Sequence, residues 1–289
     1  MKTLLITLTL LLSGCAINIT PTSFIYQSEK VEPQLDIKAI DVKMSNAPSS
    51  VSNISVITPN GITLNGIKLT KTDAIVNVIL FGGNGMRISA SAGILNHFAL
   101  LPANVIWFDY QGMGVSEKSA ELSIDALKSD ALTVFDFAKH EFTAQLPLVV
   151  HGVSMGSLIA GYVASERHID GLVLDGAISS VPKLVENLIP IWSKLFSTVT
   201  VSPELSEINN EELIAQYTNP LLILSGENDE TTPLIYSQQL LDISPSVIKS
   251  IKVLPDTKHA QTMKKSEAIT AYQLFINELT CCKKSQLIY

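Results

Sequence analysis

Short, almost continuous apolar runs recur along the chain from residue 74 onward. Runs of this length predict strands that are buried on both faces, as in a parallel sheet. They alternate with helical stretches, and the alternation predicts an open, mostly parallel sheet with helices on both faces. The apolar runs are 74–81, 105–108, 148–150, 172–174 and 221–224, and the helical stretches are 88–100, 124–140, 157–166, 234–241 and 267–278.

A different pattern precedes the first run. Residues 54–58 and 62–69 alternate in polarity on either side of a Pro59-Asn60-Gly61 turn. This combination predicts an antiparallel hairpin through which the chain enters the sheet. In such a sheet, ligands bind at the carboxyl ends of the strands, so reactive side chains are expected there.

A serine between two glycines follows the third apolar run. The residues are Gly152-Val153-Ser154-Met155-Gly156, which fit the pattern G-x-S-x-G. In a sharp strand-to-helix turn the serine is strained, and small neighbours let strand and helix approach closely. The pattern therefore predicts a nucleophile elbow with the Ser154 hydroxyl exposed at the carboxyl end of the sheet.

A serine nucleophile needs a base, and His259 is the best placed of the five histidines. It lies in a loop after a strand-like segment. Asp229 follows the fifth apolar run and is suited to fix the tautomer of His259 and stabilise its charged form. Asp175, at the end of the fourth run, is a rival for the acid, and we favour Asp229.

The other histidines and one earlier aspartate receive structural interpretations. His151 should point away from the serine because strand residues alternate, and Asp109 is expected to hold the glycine-rich loop that follows it. Packing or surface roles are expected for His97, His140 and His168.

Two backbone N–H groups are candidates for an oxyanion hole. Met155 begins the helix after the serine, so its N–H can point at a developing negative charge. Asn84 lies in the glycine-rich stretch 82–86 after the first apolar run and would supply the second donor. This stretch lacks both the Gly-Lys-Ser/Thr ending of a P-loop and the spacing G-x-G-x-x-G, which argues against a nucleotide site.

Residues 1–14 have the pattern of a secretory signal. One early lysine precedes about ten mainly apolar residues, too few to span a bilayer of about 30 Å. The ending Leu12-Ser13-Gly14-Cys15 resembles the lipobox of bacterial lipoproteins, which would make Cys15 the lipid-modified first residue. By that resemblance, Ala16 after the cysteine favours the outer membrane. An ordinary signal peptide cleaved near Ala16 is the alternative.

Composition narrows the class of protein. The chain has 289 residues, of which 46% are hydrophobic and 16% charged, enough for one sizeable core. A net charge of −7 and a pI near 5.2 argue against a nucleic-acid partner. Besides Cys15, the cysteines are the adjacent Cys281 and Cys282, too few for a disulfide framework, and we assign them no function.

Taken together, these motifs resemble the α/β-hydrolase superfamily, and within it the group of Bem46-like and serine aminopeptidase S33-type hydrolases. The resemblance covers roughly 51–278. It implies an α/β-hydrolase fold, a catalytic triad of Ser154, Asp229 and His259, an oxyanion hole at Asn84 and Met155, and no metal or cofactor. The chain departs from this family at two places. It has Gly82-Gly83 where relatives usually have His-Gly, and Lys258 directly before His259 where relatives often have glycine.

These features predict three segments, namely a lipoprotein signal peptide at 1–14, a lipidated tether or lead-in at 15–48 and a hydrolase domain at 49–289. By the resemblance, residues 181–217 form a short cap whose apolar side chains either line an acyl pocket or pack onto the core.

The function expected is that of a lipid-anchored envelope enzyme that cleaves a small-molecule or lipid ester, or a thioester or amide, through an acyl-serine. A non-catalytic envelope lipoprotein that uses the fold as a binding module is the alternative. A cofactor-free haloperoxidase or a C–C bond hydrolase is a further possibility.

Overall fold

The computed structural model describes residues 15–37, 40, 49–120, 122–142, 145–195 and 197–286. The predicted signal peptide at 1–14 lies outside the described residues. The strands are β1 (Cys15–Ile19), β2 (Ser49–Ile57), β3 (Thr63–Lys71), β4 (Val76–Phe81), β5 (Ala103–Phe108), β6 (Leu148–Val153), β7 (Gly171–Asp175), β8 (Ser197–Val201), β9 (Leu221–Gly226) and β10 (Lys249–Leu254). The α-helices are α1 (Pro21–Phe24), α2 (Ile88–Ser91), α3 (Leu95–Phe98), α4 (Ile124–Glu141), α5 (Met155–Glu166), α6 (Val181–Leu188), α7 (Pro203–Ser206), α8 (Asn210–Ile214), α9 (Leu234–Ile243) and α10 (Ser266–Gln286).

The main sheet has the strand order β10-β9-β7-β6-β4-β5-β3-β2. Its pairs are parallel from β10 through β5, whereas β3 pairs antiparallel with both β5 and β2. The predicted parallel sheet and its entry hairpin are therefore confirmed. This order brings the ends of β4, β6, β7, β9 and β10 to one edge, where the candidate site lies.

Apolar layers cover both faces of the sheet. In β4, Ile79 faces a layer that includes buried residues of α4, α5 and α9. Val78 and Leu80 face the opposite layer, which contains Phe98 of α3 and Tyr272 of α10. Because successive strand residues point to opposite faces, a strand buried on both sides has to be apolar throughout, which is why these runs were recognisable in the sequence.

The predicted helical stretch 88–100 is divided in the structure. Helix α2 ends at Ser91, a 3₁₀ turn spans Ala92–Ile94, and α3 then begins at Leu95. Ser91 has the non-helical angles φ −119° and ψ 5°, two residues before Gly93. Glycine weakens a helix interior, which explains why the helix is interrupted here. The apolar spacing continues across the break, and this is why the sequence predicts a single helix.

The described part of the expected tether is packed on the domain. Strand β1 pairs in parallel with β8 in a separate two-stranded sheet, and Ile25 is buried. Further along, Ser28 donates its N–H to the carbonyl of Gly112 at 2.8 Å, and Glu32 forms an ion pair with Arg87. These partners are distant in sequence, which is why local composition predicts a tether or an irregular lead-in for most of this segment.

The segment between β7 and β9 contains α6, a 3₁₀ turn at Ile191–Leu195, β8, α7 and α8. It corresponds to the predicted cap; Phe196 lies outside the described residues. In the part of the chain that the structure describes, no helix is long and apolar enough to cross a membrane. Cys281 has a free, exposed thiol in α10, whereas the side chain of Cys282 lies outside the described residues.

Candidate active site

The turn between β6 and α5 holds Ser154 in an unusual backbone conformation. Its φ of 52° and ψ of −117° are strained for a residue other than glycine. A side chain at Gly152 would meet the Gly156 carbonyl oxygen at 2.1 Å, and one at Gly156 would meet the Phe81 carbonyl oxygen at 2.0 Å. Both glycines are thus required by the close approach of strand and helix, as the motif predicts.

The side chains of Ser154, His259 and Asp229 are joined by two hydrogen bonds. His259 Nε2 lies 2.8 Å from Ser154 Oγ, and His259 Nδ1 lies 2.7 Å from Asp229 Oδ2. The three residues come from the ends of β6, β9 and β10, which the strand order brings to one edge of the sheet. The structure therefore brings together the three predicted triad residues in an arrangement suited to move the serine proton onto the histidine.

The Asp229 carboxylate is held by its own loop. Its Oδ1 accepts hydrogen bonds from the N–H groups of Thr231 and Thr232, at 3.0 and 2.8 Å, and its Oδ2 accepts one from the Thr232 hydroxyl at 2.8 Å. Burial alone would raise the pKa of Asp229, but the bonds from His259 and Thr232 outweigh it and hold the pKa below its ordinary value. Asp229 is therefore charged at neutral pH.

Thr232 is a site residue that the sequence analysis did not identify. Its hydroxyl also lies 3.2 Å from His259 Nδ1, so it contacts both partners of the Asp229–His259 pair. The Asp229-Glu230-Thr231-Thr232-Pro233 loop offers a signal only in retrospect, because a threonine three residues after an acid is common in turns.

The loop that carries His259 is fixed although it departs from the usual glycine pattern. Asn228 donates its N–H to the Thr257 carbonyl oxygen at 2.9 Å, which ties the histidine loop to the Asp229 loop. Asp256 and Ala260 have positive φ values of 49° and 54°, a conformation that glycine adopts most readily. Lys258 therefore does not prevent His259 from reaching the serine.

The two predicted oxyanion donors, Asn84 and Met155, line the same cavity as Ser154. Among the described residues, neither the Asn84 nor the Met155 N–H donates to a protein acceptor. Next to Asn84, Gly83 packs against the serine so closely that an added Cβ would lie 3.4 Å from the Ser154 Cβ. The arrangement leaves both N–H groups available to an oxygen bound beside Ser154.

The side chain of Asn84 is fixed by the N-terminal segment, which the sequence analysis did not foresee. Its Nδ2 donates to the Phe24 carbonyl oxygen at 2.8 Å, and its Oδ1 accepts from the Tyr26 N–H at 2.7 Å. Because both Oδ1 and Nδ2 of its amide are hydrogen-bonded to backbone atoms, the Asn84 side chain cannot rotate freely. The residues 24–26 therefore help to position a candidate oxyanion donor.

Comparison with known proteins finds chains of similar sequence. A family model described as serine aminopeptidase S33 matches residues 72–215. The protein Bem46 of Schizosaccharomyces pombe is 26% identical over 184 residues, which cover 60% of this chain and 60% of Bem46. The uncharacterized protein YfhR of Salmonella typhi is 24% identical over 230 residues, covering 73% of this chain and 75% of YfhR. The chain belongs to the α/β-hydrolase superfamily.

Solved structures share the fold of this chain. The Pyrococcus furiosus esterase Pf2001 matches with a TM-score of 0.67 at 18% identity, covering 88% of this chain and 97% of the esterase. Est1E from Butyrivibrio proteoclasticus, solved with ferulic acid, matches with a TM-score of 0.59 at 17% identity, covering 79% of this chain and 99% of Est1E. At this identity the likeness establishes the fold, and the matched region spans only 60% of Bem46.

The rival candidate for the acid, Asp175, has a different environment. Its buried carboxylate accepts a hydrogen bond from the Thr262 hydroxyl and lies 3.8 Å from Nε2 of the buried His151. The His151 ring stacks on Tyr272 with a centroid distance of 5.6 Å, on the face of the sheet away from α4 and α5. Asp175 thus contacts a buried histidine in the core, whereas Asp229 contacts the histidine that reaches the serine.

Asp109 holds its loop, as the sequence analysis expected. Its carboxylate accepts from the N–H groups of Ile88 and Val115 at 2.8 and 3.1 Å, and a side chain at Gly114 would collide with it. Burial raises the pKa of Asp109 to about 6 in spite of these bonds. Asp109 therefore links the start of α2 to the loop after β5.

A large cleft opens beside the candidate catalytic side chains. Its volume is about 1240 Å³, and Ser154 and His259 lie on its floor. The walls are mainly apolar and come from three parts of the chain: the N-terminal segment, the α2–α3 region and the cap. Residues that represent these walls are Ile17, Ile19, Met86, Ile94, Leu184 and Ile189.

His97 of α3 also lines this cleft. Burial and the nearby positive charge of Lys264 lower its pKa, so it is neutral near pH 7. From the sequence we expect a packing or surface role for His97, because its position in a helix carries no sign of the cleft. In the described residues, no cluster of His, Cys, Asp and Glu side chains could hold a metal ion.

Proposed function

We propose that the chain is a serine hydrolase that cleaves a carboxylic ester through an acyl-enzyme on Ser154. The observation that carries the proposal is the pair of hydrogen bonds, 2.8 and 2.7 Å long, that connects Ser154 to Asp229 through His259. His259 Nε2 takes the hydroxyl proton while Ser154 Oγ attacks the carbonyl carbon. The N–H groups of Asn84 and Met155 then donate to the oxyanion, and Asp229 stabilises the imidazolium.

The second half of the cycle uses the same groups in reverse. His259 gives its proton to the departing alkoxide oxygen, the carbon–oxygen bond breaks, and the alcohol leaves. A water molecule then donates a proton to His259 and its oxygen attacks the acyl carbon. Collapse of this second tetrahedral species returns the proton to Ser154 Oγ and releases the carboxylic acid.

An ester is the bond we favour over a thioester or an amide. Esters need the least assistance to their leaving group, and an amide substrate of a peptidase would require a site that recognises an amine. The apolar walls of the cleft support an acyl group as the part of the substrate that binds there. Small-molecule or lipid esters are therefore the proposed substrates.

We also propose that Cys15 carries a lipid anchor at the periplasmic face of the outer membrane. The lipobox-like sequence before Cys15 and the residue Ala16 after it support this location. More than one acyl chain on the cysteine would make the attachment stable. Mass spectrometry of the protein from envelope fractions tests it, because Cys15→Ser should lose the acyl mass and the attachment.

The hydrolase proposal is tested by labelling the detergent-solubilised full chain with a fluorophosphonate probe, which reacts with activated serines. Ser154→Ala and His259→Ala should abolish labelling. Ser165→Ala and His168→Ala, which change exposed residues in and just after α5, are matched controls and should label like the wild type. A folded wild type that does not label would favour the binding-module alternative.

A further inference from the structure

Four large apolar side chains are exposed around the mouth of the catalytic cleft, and we call them the lip. Ile191 is 85% exposed and Trp192 is 71% exposed, while Leu188 and Ile17 are about half exposed. Three of the four lie within five consecutive residues of the cap. Contiguous exposed apolar side chains of this kind indicate a surface that is covered in use, whereas scattered single ones are ordinary.

The lip is continuous with the inner wall of the cleft. Leu188 and Ile17 contribute to the wall as well as to the lip, and Pro190 and Ser193, which flank the two most exposed residues, also line the cleft. A molecule that leaves an apolar phase at the lip therefore meets apolar side chains on its way to Ser154. This continuity connects the lip to the proposed substrate route.

The charges beside the lip are paired. Lys194 lies 3.6 Å from Glu186, and Lys183 forms an ion pair with Glu211. The net charge of −7 means that the chain as a whole is not attracted to an anionic surface. An exposed tryptophan among aliphatic side chains, without surplus cations, fits the interface of a zwitterionic bilayer.

The N-terminal strand β1 begins beside the lip. Cys15 is the register partner of Ser197, whose hydroxyl donates to the Ser193 carbonyl oxygen at 2.9 Å. A lipid on Cys15 would thus leave the protein beside the lip and hold it close to the bilayer. A lipid anchor at this position would favour a lipid surface over a second protein as the occupant.

We propose that the lip inserts into a zwitterionic lipid surface and that a long-chain ester passes from this surface into the cleft. The proposal rests on the serine hydrolase function for its substrate, while insertion itself does not depend on catalysis. Tryptophan and aliphatic side chains would lie at the boundary between headgroups and acyl chains.

Tryptophan fluorescence tests insertion directly, because the chain has two tryptophans and Trp107 is only 1% exposed. The full chain and Trp192→Phe are reconstituted into phosphatidylcholine vesicles with brominated acyl chains, which quench nearby tryptophans. The wild type should lose emission relative to unbrominated vesicles, and Trp192→Phe should not. Equal emission of the wild type in both vesicles would overturn the proposal.

Kinetics test the substrate route. Ile191→Ser and Trp192→Ser should lose at least about tenfold in activity on a long-chain ester embedded in vesicles, and stay within about twofold on a short-chain ester in water. Val247→Ser, at a site 94% exposed and outside the lip, is the matched control and should behave like the wild type. Unchanged activity of the lip variants on vesicles would refute the route.

The two proposals fail in different ways. A wild type that hydrolyses neither ester refutes the hydrolase function, and the quenching result still decides insertion. Active enzyme without quenching, together with a dimer that Ile191→Ser dissociates in analytical ultracentrifugation, would assign the lip to a second copy of the chain and overturn insertion.

Discussion

Neutralising each of the two candidate acids separates their roles. In Asp229→Asn the carboxylate that lies 2.7 Å from His259 Nδ1 is replaced by a neutral amide of nearly the same shape. In Asp175→Asn the change falls on a carboxylate that is hydrogen-bonded to Thr262 and lies near the buried His151. We expect the first change to remove most of the activity and the second to leave the catalytic rate nearly unchanged.

The size of the first effect follows from the charge pair. When His259 is protonated in the transition state, its positive charge lies about 4 Å from the Asp229 charge, which is worth about 4 kcal/mol at an effective dielectric constant of about 20. This corresponds to about 10³-fold in kcat, and an amide that also favours the wrong tautomer would extend the loss toward about 10⁴-fold. Asp175, which has no hydrogen bond to His259 within the described structure, should change kcat by less than about tenfold.

The assay is steady-state hydrolysis of a soluble short-chain p-nitrophenyl ester by the full chain in detergent. Both variants are first compared with the wild type by circular dichroism and thermal unfolding, so that loss of fold is not read as loss of catalysis. If a folded Asp175→Asn variant loses about 10³-fold in kcat while Asp229→Asn retains activity, the acid is Asp175 at the end of β7 and the reasoning is refuted.

Three further substitutions test contacts and burial seen in the structure. Thr232→Val should lower kcat by roughly tenfold with little change in KM, since one hydrogen bond to a charged carboxylate is lost, and steady-state kinetics would contradict this if kcat were unchanged. Gly156→Ala should strongly lower the Tm measured by thermal unfolding, because its Cβ would lie 2.0 Å from the Phe81 carbonyl oxygen. Burial raises the pKa of Asp130 from 3.8 to about 7, so the free energy of unfolding falls as pH rises between these values. Asp130→Asn should therefore raise Tm by about 2 to 6 °C at pH 8 and less at pH 5, and an equal gain at both would be contrary to it.

The parts of the structure that were predictable are those encoded over a few consecutive residues. The apolar runs predict buried strands because both faces of the sheet are covered, and the glycines at 152 and 156 predict the elbow because backbone atoms leave no room for a side chain. The ends of parallel strands share an edge, so Asp229 and His259 were expected beside Ser154 although they are 75 and 105 residues away from it.

The parts that escaped prediction depend on partners far away in the sequence. Strand β1 pairs with β8 about 180 residues later, and neither strand has an apolar run that would identify it. Tyr26 and Phe24 contact the Asn84 side chain across about 60 residues. Thr232 and His97 gain their positions at the site only when the loops and the cleft are assembled, and local pattern carries no information about either.

The region that matches the family, residues 72–215, contains Ser154 and both candidate oxyanion donors but not Asp229 or His259. A chain with only this region could bind a carbonyl compound but would not hydrolyse it, because a serine without a base is a poor nucleophile. The case for catalysis therefore depends on the 2.8 Å contact between His259 and Ser154, which joins the matched region to the loop after β10. The walls of the cleft also extend beyond the matched region, because they include Ile17 and Ile19 of β1. Relatives that share the matched region are for this reason expected to share the nucleophile more widely than the substrate.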